Sequence, residues 1–409
     1  MKRAITQAAT RTMRSVARAL PVCALAWLTG TAQAAELPDA APVLTPFGAE
    51  SLGNADGSIP AWSGTLSAPP ACAAAAAICD PYAGEQPIHT VSAANAEAYA
   101  ALLGDGQRAL LAAYPETYQL RVYPTRRSFA NPPEIDAATA AHAGRAQLRD
   151  GELTRAAGGV PFLRPATGDE VLLNHRLRYR PLRRERELKQ WVTSASGERI
   201  ESTLVERERF NYALPRSSGR MLGGPLVQRQ HWLIAPPPLA GTGVLFEDVA
   251  RPADFARRSW QFAVGDTRVR QLPTLGYDTA ALGSEKLRDN DQIDSFFGPL
   301  DRYRWKLLGK RELLVPANSH ALLRAQIEAG TDVLGPQHLN PVFARYERRR
   351  VWVVEARVAP GAVHRSMQRR FYVDEDGWQI RLVEHYDADE RLWRVQETHS
   401  VMAYDRAYE

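Results

Sequence analysis

The chain has 409 residues, with 51 lysines and arginines against 46 aspartates and glutamates. Five of the basic residues precede Ala34 and no acid does, so removing that segment leaves 46 of each sign. Balanced charge removes any global electrostatic case for nucleic acid, and the length suits a large sheet-rich fold as well as two domains.

Residues 1–34 read as a secretory signal. Lys2, Arg3, Arg11, Arg14 and Arg18 form a basic n-region, Ala19–Leu28 an apolar stretch, and Ala32-Gln-Ala34 a small-residue cleavage site. The apolar stretch is far shorter than the ~20 residues of a spanning helix. Cys23 follows Leu20-Pro-Val22, which lacks the small residue a lipid-acceptor cysteine needs. The expected location is the periplasm, with the outer membrane as a further association. Beyond the cleavage site only Cys72 and Cys79 remain, and their spacing in an oxidising compartment predicts a disulfide.

Residues 35–165 are expected to form an extended arm followed by helices. Ala35–Pro87 is rich in Pro, Gly and Ala, with isolated apolar residues such as Phe47, Ile59 and Trp62. A helix is predicted from Ser92, interrupted at Gly104 and resumed to Tyr114. A second is predicted over Pro133–Arg149, with Gly151 past its end.

Residues 166–409 are expected to form an antiparallel half-barrel with helical insertions. Strands are predicted at Leu188–Thr193 and Arg199–Phe210 around Ser196-Gly197, then at Leu226–Ile234, Gly243–Val249, Trp260–Val264 and Val269–Leu272. A helical insertion at Ser284–Phe296 precedes strands at Tyr303–Leu308 and Glu312–Val315, and a turn of helix at Pro341–Arg345 follows. From Arg348 to His399 apolar and polar residues alternate between turn signals at Asp374–Gly377 and Asp387–Glu390. A period of two marks hairpins with one dry face, and the whole predicts one antiparallel meander of about ten strands.

Few catalytic signatures are present. The chain lacks Gly-x-Ser-x-Gly, His-Glu-x-x-His and a phosphate loop. Asp289-Asn-Asp291 begins like a calcium loop, but Ile293 takes a ligand position and no glycine follows. No metal, cofactor or catalytic residue is assigned, and the protein is not expected to be an enzyme. Glu355, Glu384 and Glu397 sit on neighbouring hairpins, where two carboxylates could act on a sugar. Their ordinary role is as outward partners of Arg350, Arg381 and Arg394. The clusters Arg183-Arg184 and Arg348-Arg349-Arg350 read as solvated faces, with a phosphate or headgroup role as the alternative.

The positive signal is aromatic. Trp260, Phe262, Trp305, Trp352, Trp378 and Trp393 fall at alternating strand positions. They suit either a filled core or the wall of an apolar cavity on a concave sheet face. The cavity is the leading expectation.

Several blocks resemble a secreted proteobacterial family of unknown function, family 1329. They are Leu44-Thr-Pro-Phe-Gly-Ala-Glu50, Gly53-Asn-Ala-Asp-Gly-Ser-Ile-Pro-Ala-Trp62, Tyr123-Pro-Thr-Arg-Arg127, and Asn174-His175 with Arg178-Tyr-Arg180. Trp260 with Arg268-Val-Arg270, Tyr303-Arg-Trp-Lys306, Val351-Trp-Val-Val-Glu355 and Asp374-Glu-Asp-Gly-Trp378 continue the likeness. The resemblance implies a fold similar to the LolA/LolB lipoprotein-sorting proteins, an open antiparallel half-barrel whose cavity is covered by helices. It also implies outer-membrane and inner-membrane exporter partners. The expected function is a periplasmic carrier or envelope-assembly factor sheltering a lipid-like or acylated ligand. A structural adaptor without a small-molecule ligand and a hydrolase with an unrecognised site are the rivals.

Overall fold

The computed structural model describes residues 42–64, 72, 79–213, 225–237, 239–249, 257–329, 333–404 and 409. The expected signal segment and its cleavage site lie outside them. Within the described chain, Pro42–Glu409 forms one unit.

Strands β1 (His89–Val91) and β2 (Leu120–Val122) flank helix α1 (Asp105–Ala113), and α2 covers Pro133–His142. The helix expected to reach Arg149 stops seven residues early. Gly144 is left-handed, and the chain turns into a hairpin of β3 (Gln147–Arg149) and β4 (Glu152–Thr154). Asp150 and Gly151 both have positive φ, the backbone of a tight two-residue hairpin turn, so Gly151 ends no helix. Helix α3 (Gly168–Leu177) follows. Sequence periodicity did not reveal it, because seven of its ten residues are buried and it has no polar face.

Two sheets replace the expected single meander. The first runs through β5 (Arg183–Thr193), β6 (Arg199–Phe210), β7 (Pro225–Ala235), β8 (Gly243–Val249), β9 (Arg258–Phe262) and β10 (Arg270–Gln271), each antiparallel to the next. The second contains β11 (Tyr303–Pro316), β12 (Tyr346–Val358), β13 (Gln368–Asp374), β14 (Ile380–Tyr386) and β15 (Leu392–Glu397). β1 and β2 extend it beside β12, and α4 (His320–Ala329) lies between β11 and β12 in the chain. The break falls after β10. There the helix expected over Ser284–Phe296 reduces to a 3-10 turn at Asn290–Gln292. Glu285, Lys286, Asp294 and Ser295 have positive φ, which a right-handed helix cannot accommodate. The architecture is a β-rich α+β fold with open sheets, of the expected class.

The core is organised around α3. Val171 and Leu172 pack with Val354, Phe371, Val373, Ile380 and Val383 of the seven-stranded sheet. Leu173 and Leu177 pack with Phe210, Val227, Val244 and Phe246 of the six-stranded sheet. Gly168 permits the close approach: a Cβ there would lie 2.8 Å from Val354 Cγ1 and 3.1 Å from the Lys306 backbone. The opposite face of the seven-stranded sheet carries Leu313, Val351, Val353, Tyr372 and Leu382. The start of α1 lies against it, where the Gly106 amide donates to Glu384 Oε1 at 2.8 Å. Both faces are thereby covered, and every residue of β14 is buried.

Candidate functional site

The six aromatic residues expected on one wall do not share one. Strand register places Trp305, Trp352, Val354 and Phe371 on the face of the seven-stranded sheet that meets α3. The indole of Trp305 lies against Phe296 and Phe371 at centroid distances of 5.3 and 5.7 Å. Trp378 is in the β13–β14 turn rather than a strand, with φ of 56° and only 1 % exposure. Its indole stacks on Trp352 at 6.1 Å and donates to the Phe47 carbonyl at 2.8 Å. Phe47 is itself enclosed, edge-on to Trp62 and Phe129. That face is filled by the chain's own arm, α3 and Phe296. Trp393 occupies a register irregularity in β15 and is 41 % exposed.

Trp260 and Phe262 belong to the other sheet. Phe262 pairs with Gly243, which pairs with Trp232, and Trp260 pairs with Leu245. A Cβ on Gly243 would come within 2.5 Å of the Trp232 ring, so the glycine lets that indole lie flat across the strand. All four apolar side chains are on the face turned away from α3 and are half-buried. Ile234, Leu239, Val264 and Val269 near the same end are more exposed. Towards β5 and β6 this outer face becomes charged, as in the exposed pair Arg207–Glu185.

The inner face of the six-stranded sheet combines apolar and ionic groups. Register pairs Arg184 with Glu208, Arg186 with Glu206, Glu208 with Arg229 and Glu206 with His231. Glu208 receives Arg180 at 2.9 Å, Arg229 at 2.7 Å and Arg184 at 2.8 Å. Glu206 receives Arg186 at 2.8 Å and the His231 imidazole at 2.9 Å. Asp294, held by left-handed backbone, binds Arg178 at 2.6 Å and Arg180 at 2.9 Å. Burial alone would raise these carboxyl groups. The charges of Arg229, Arg180 and Arg184 overcome it and hold Glu208 down at about 2. Arg186 and Arg229 hold Glu206 well below the usual range, and Arg178 and Arg180 do so for Asp294. Burial, reinforced by Arg178, lowers His175 to about 3, and burial also lowers His231. Both imidazoles are therefore neutral near pH 7. Arg229 and Arg257 face the Phe297 ring, each 4.0 Å from its centroid.

A second ionic network ties the arm to the last hairpins and corrects the expectation of solvated arginines. Arg349 and Arg350 are buried. Arg349 binds Glu347 at 2.9 Å and Asp376 at 3.1 Å, and Arg350 binds Glu375 at 3.2 Å. Arg127 reaches Asp376 at 2.6 Å, Arg381 reaches Asp374 at 2.7 Å, and Lys310 joins Glu50 to Glu375. Cations and carboxylates alternate here in comparable number. Of the three hairpin glutamates, Glu355 has an exposed arginine partner as expected, but it is Arg357 rather than Arg350, and the other two differ. Glu384 is buried and accepts from Tyr372 and Tyr386, and Glu397 accepts from Tyr346. Asp291, from the calcium-like tripeptide, is occupied by Arg369 and His364.

Ser366 Oγ lies 2.9 Å from His385 Nδ1, the contact a hydrolase would use. Both residues are fully buried, and the far imidazole nitrogen meets Gln292 at 3.4 Å rather than a carboxylate. A substrate carbonyl has no approach to such a hydroxyl. Cys72 and Cys79 are joined by a disulfide.

A sequence profile described as a protein of unknown function, DUF1329, matches residues 90–408. The uncharacterized protein PA3922 of Pseudomonas aeruginosa is 36 % identical over 366 residues, spanning 89 % of this chain and 80 % of that one. Among solved structures, a DUF1329 family protein from Desulfovibrio piger is similar at 12 % identity and a TM-score of 0.36, over 56 % of this chain and 75 % of its own. A Vibrio parahaemolyticus domain assigned to outer membrane lipoprotein sorting is similar at 13 % identity and a TM-score of 0.35, with the same coverage. By the extent of the profile match and the identity to the Pseudomonas protein, the chain belongs to the DUF1329 family of proteins of unknown function.

Proposed function

We propose that the protein is an exported carrier or envelope-assembly factor for a lipid-like or acylated ligand, engaged by the outer face of the six-stranded sheet and not by the aromatic face of the seven-stranded one. The observation that supports this is the half-buried strip of Trp232, Leu245, Trp260 and Phe262, continued by exposed Ile234, Leu239 and Val264. A contiguous apolar surface on a folded protein marks a place of contact. Each Å² of acyl chain covered there contributes about 25 cal/mol before association costs. No helix among the described residues is long and apolar enough to cross a membrane.

The test compares Trp260→Ala and Phe262→Ala with the wild type for uptake of a fluorescent fatty-acyl probe and for co-purifying lipid by native mass spectrometry. The variants should keep the wild-type Tm within a few degrees and lose most probe binding. Failure of the wild type to bind probe or lipid sinks the carrier reading. The filled aromatic face of the seven-stranded sheet favours the adaptor as second reading. In it the arm and sheet edges hold envelope proteins, the outer-membrane and exporter partners implied by the family likeness.

A further inference from the structure

The two ionic networks differ in balance. Around the last hairpins, buried cations meet carboxylates in comparable number. On the inner face of the six-stranded sheet they do not. Among the described residues, and beside Arg176 and Arg257, which share Asp248, six guanidinium groups gather there, those of Arg178, Arg180, Arg184, Arg186, Arg229 and Arg288, against the carboxylates of Glu206, Glu208 and Asp294. The carboxylates are already ionised and shared, Glu208 among three arginines. His231 and His175 are neutral, so neither changes the count.

The hydrogen-bond inventory agrees. Arg229 is fully buried, yet its Nε and Nη1 have no acceptor among the described residues. The Nε atoms of Arg178, Arg180, Arg184 and Arg288 are also buried without one. Among the described residues the Arg288 guanidinium donates only to the neutral amide of Gln190, at 2.5 Å. Buried guanidinium groups with spare donors and too few anions are costly unless a further anion joins them. Access lies along β5, the edge strand, where the Arg184 and Arg186 side chains are 15 % and 43 % exposed.

We propose that this face is an anion-binding site for a phosphate group, entered past Arg184 and Arg186. An excess of three cationic charges favours a phosphate monoester over a single carboxylate, and the planar forks of arginine match phosphate oxygens in pairs. Free phosphate and the phosphate headgroup of a lipid share that chemistry. The site stands on the charge count and the spare donors, independently of any acyl contact on the outer face.

The experiment titrates the full-length protein with inorganic phosphate, against chloride at equal ionic strength, by calorimetry and by Tm. Phosphate is expected to bind and raise Tm where chloride does not. Arg184→Gln and Arg186→Gln should each weaken binding by tenfold or more, and Arg186→Lys less. Both positions are at the mouth, and circular dichroism checks that the variants stay folded. Phosphate indistinguishable from chloride, or variants that bind as the wild type does, overturns the site. A parallel titration with short-chain phosphatidic acid, below its micelle concentration, separates the sources. Tighter binding than inorganic phosphate identifies a lipid headgroup, and equal binding identifies free phosphate. Phosphate binding without acyl-probe uptake keeps this site and removes the carrier reading. Probe uptake without phosphate binding does the reverse.

Discussion

Replacing Trp378 by alanine is expected to cost about 4–6 kcal/mol of stability. The indole is 1 % exposed. A buried tryptophan removes ~150–250 Å² from water, so at ~25 cal/mol per Å² the transfer loss is about 4–6 kcal/mol. That is an upper value, since the unfolded chain already shields some of the area, and core Trp→Ala changes cluster at about 3–5 kcal/mol. A second loss adds to it. The Phe47 carbonyl would lose its 2.8 Å donor, and an unsatisfied buried acceptor costs about 1–3 kcal/mol. The left-handed backbone at this position gives no relief, because alanine is strained there as well. The assay is urea unfolding followed by far-ultraviolet circular dichroism, which does not depend on the deleted fluorophore. A loss below about 1.5 kcal/mol would refute the reasoning, since the indole would then border open space rather than fill a core.

Glu208→Gln leaves Arg180, Arg184 and Arg229 without their shared carboxylate, and breaking a buried pair in this way should cost about 3–5 kcal/mol by chemical denaturation. An unchanged Tm would mean that the cluster is solvated. Gly168→Val should destabilise by about 1–3 kcal/mol or more, because even a Cβ meets Val354 and the Lys306 backbone; wild-type stability would deny the close approach of α3. His175 is neutral in the fold down to about 3, while the unfolded chain protonates it near 6.5. Protons therefore favour the unfolded state below pH 6.5, and stability should fall by up to about 1.4 kcal/mol per pH unit from this residue alone. The depressed carboxylates add to the fall only below about pH 4.5, so His175→Gln should reduce the slope between pH 6.5 and 4.5, with buried His231 supplying part of what remains. A slope unchanged by the substitution would remove His175 as its source.

Much of the sheet was legible because alternation survives wherever one face is drier than the other. The hairpins at Ser194–Glu198 and Asp374–Gln379 appear where the turn residues placed them. What alternation cannot report is which sheet a face belongs to. Trp260 and Trp352 carry the same pattern, yet register assigns them to different sheets and environments. Trp378 has the spacing of the pattern while lying in a turn with φ above zero. The buried arginines were misread for a related reason. Arg349 and Arg350 occupy inward positions, and their burial is made possible by carboxylates that the β12–β13 pairing and the following turn bring to them, Asp376 for the first and Glu375 for the second. α3 was invisible because a helix enclosed on every side loses the polar stripe by which helices are recognised.

The position of α3 between two sheets also governs the order in which the chain can assemble. The helix is complete by Leu177, but its partners Val354, Phe371 and Val383 arrive at the far end of the polypeptide. The clasp of Trp378 on Phe47 spans 331 residues. Contacts of such separation form only after a large loss of chain entropy, and they slow folding. The β5–β8 hairpins can pair locally as they emerge, whereas α3 stays half-uncovered until the C-terminal hairpins close over it. A chain truncated before β13 should therefore never bury its central helix, and commitment to the native state waits for β13 and β14 to be made.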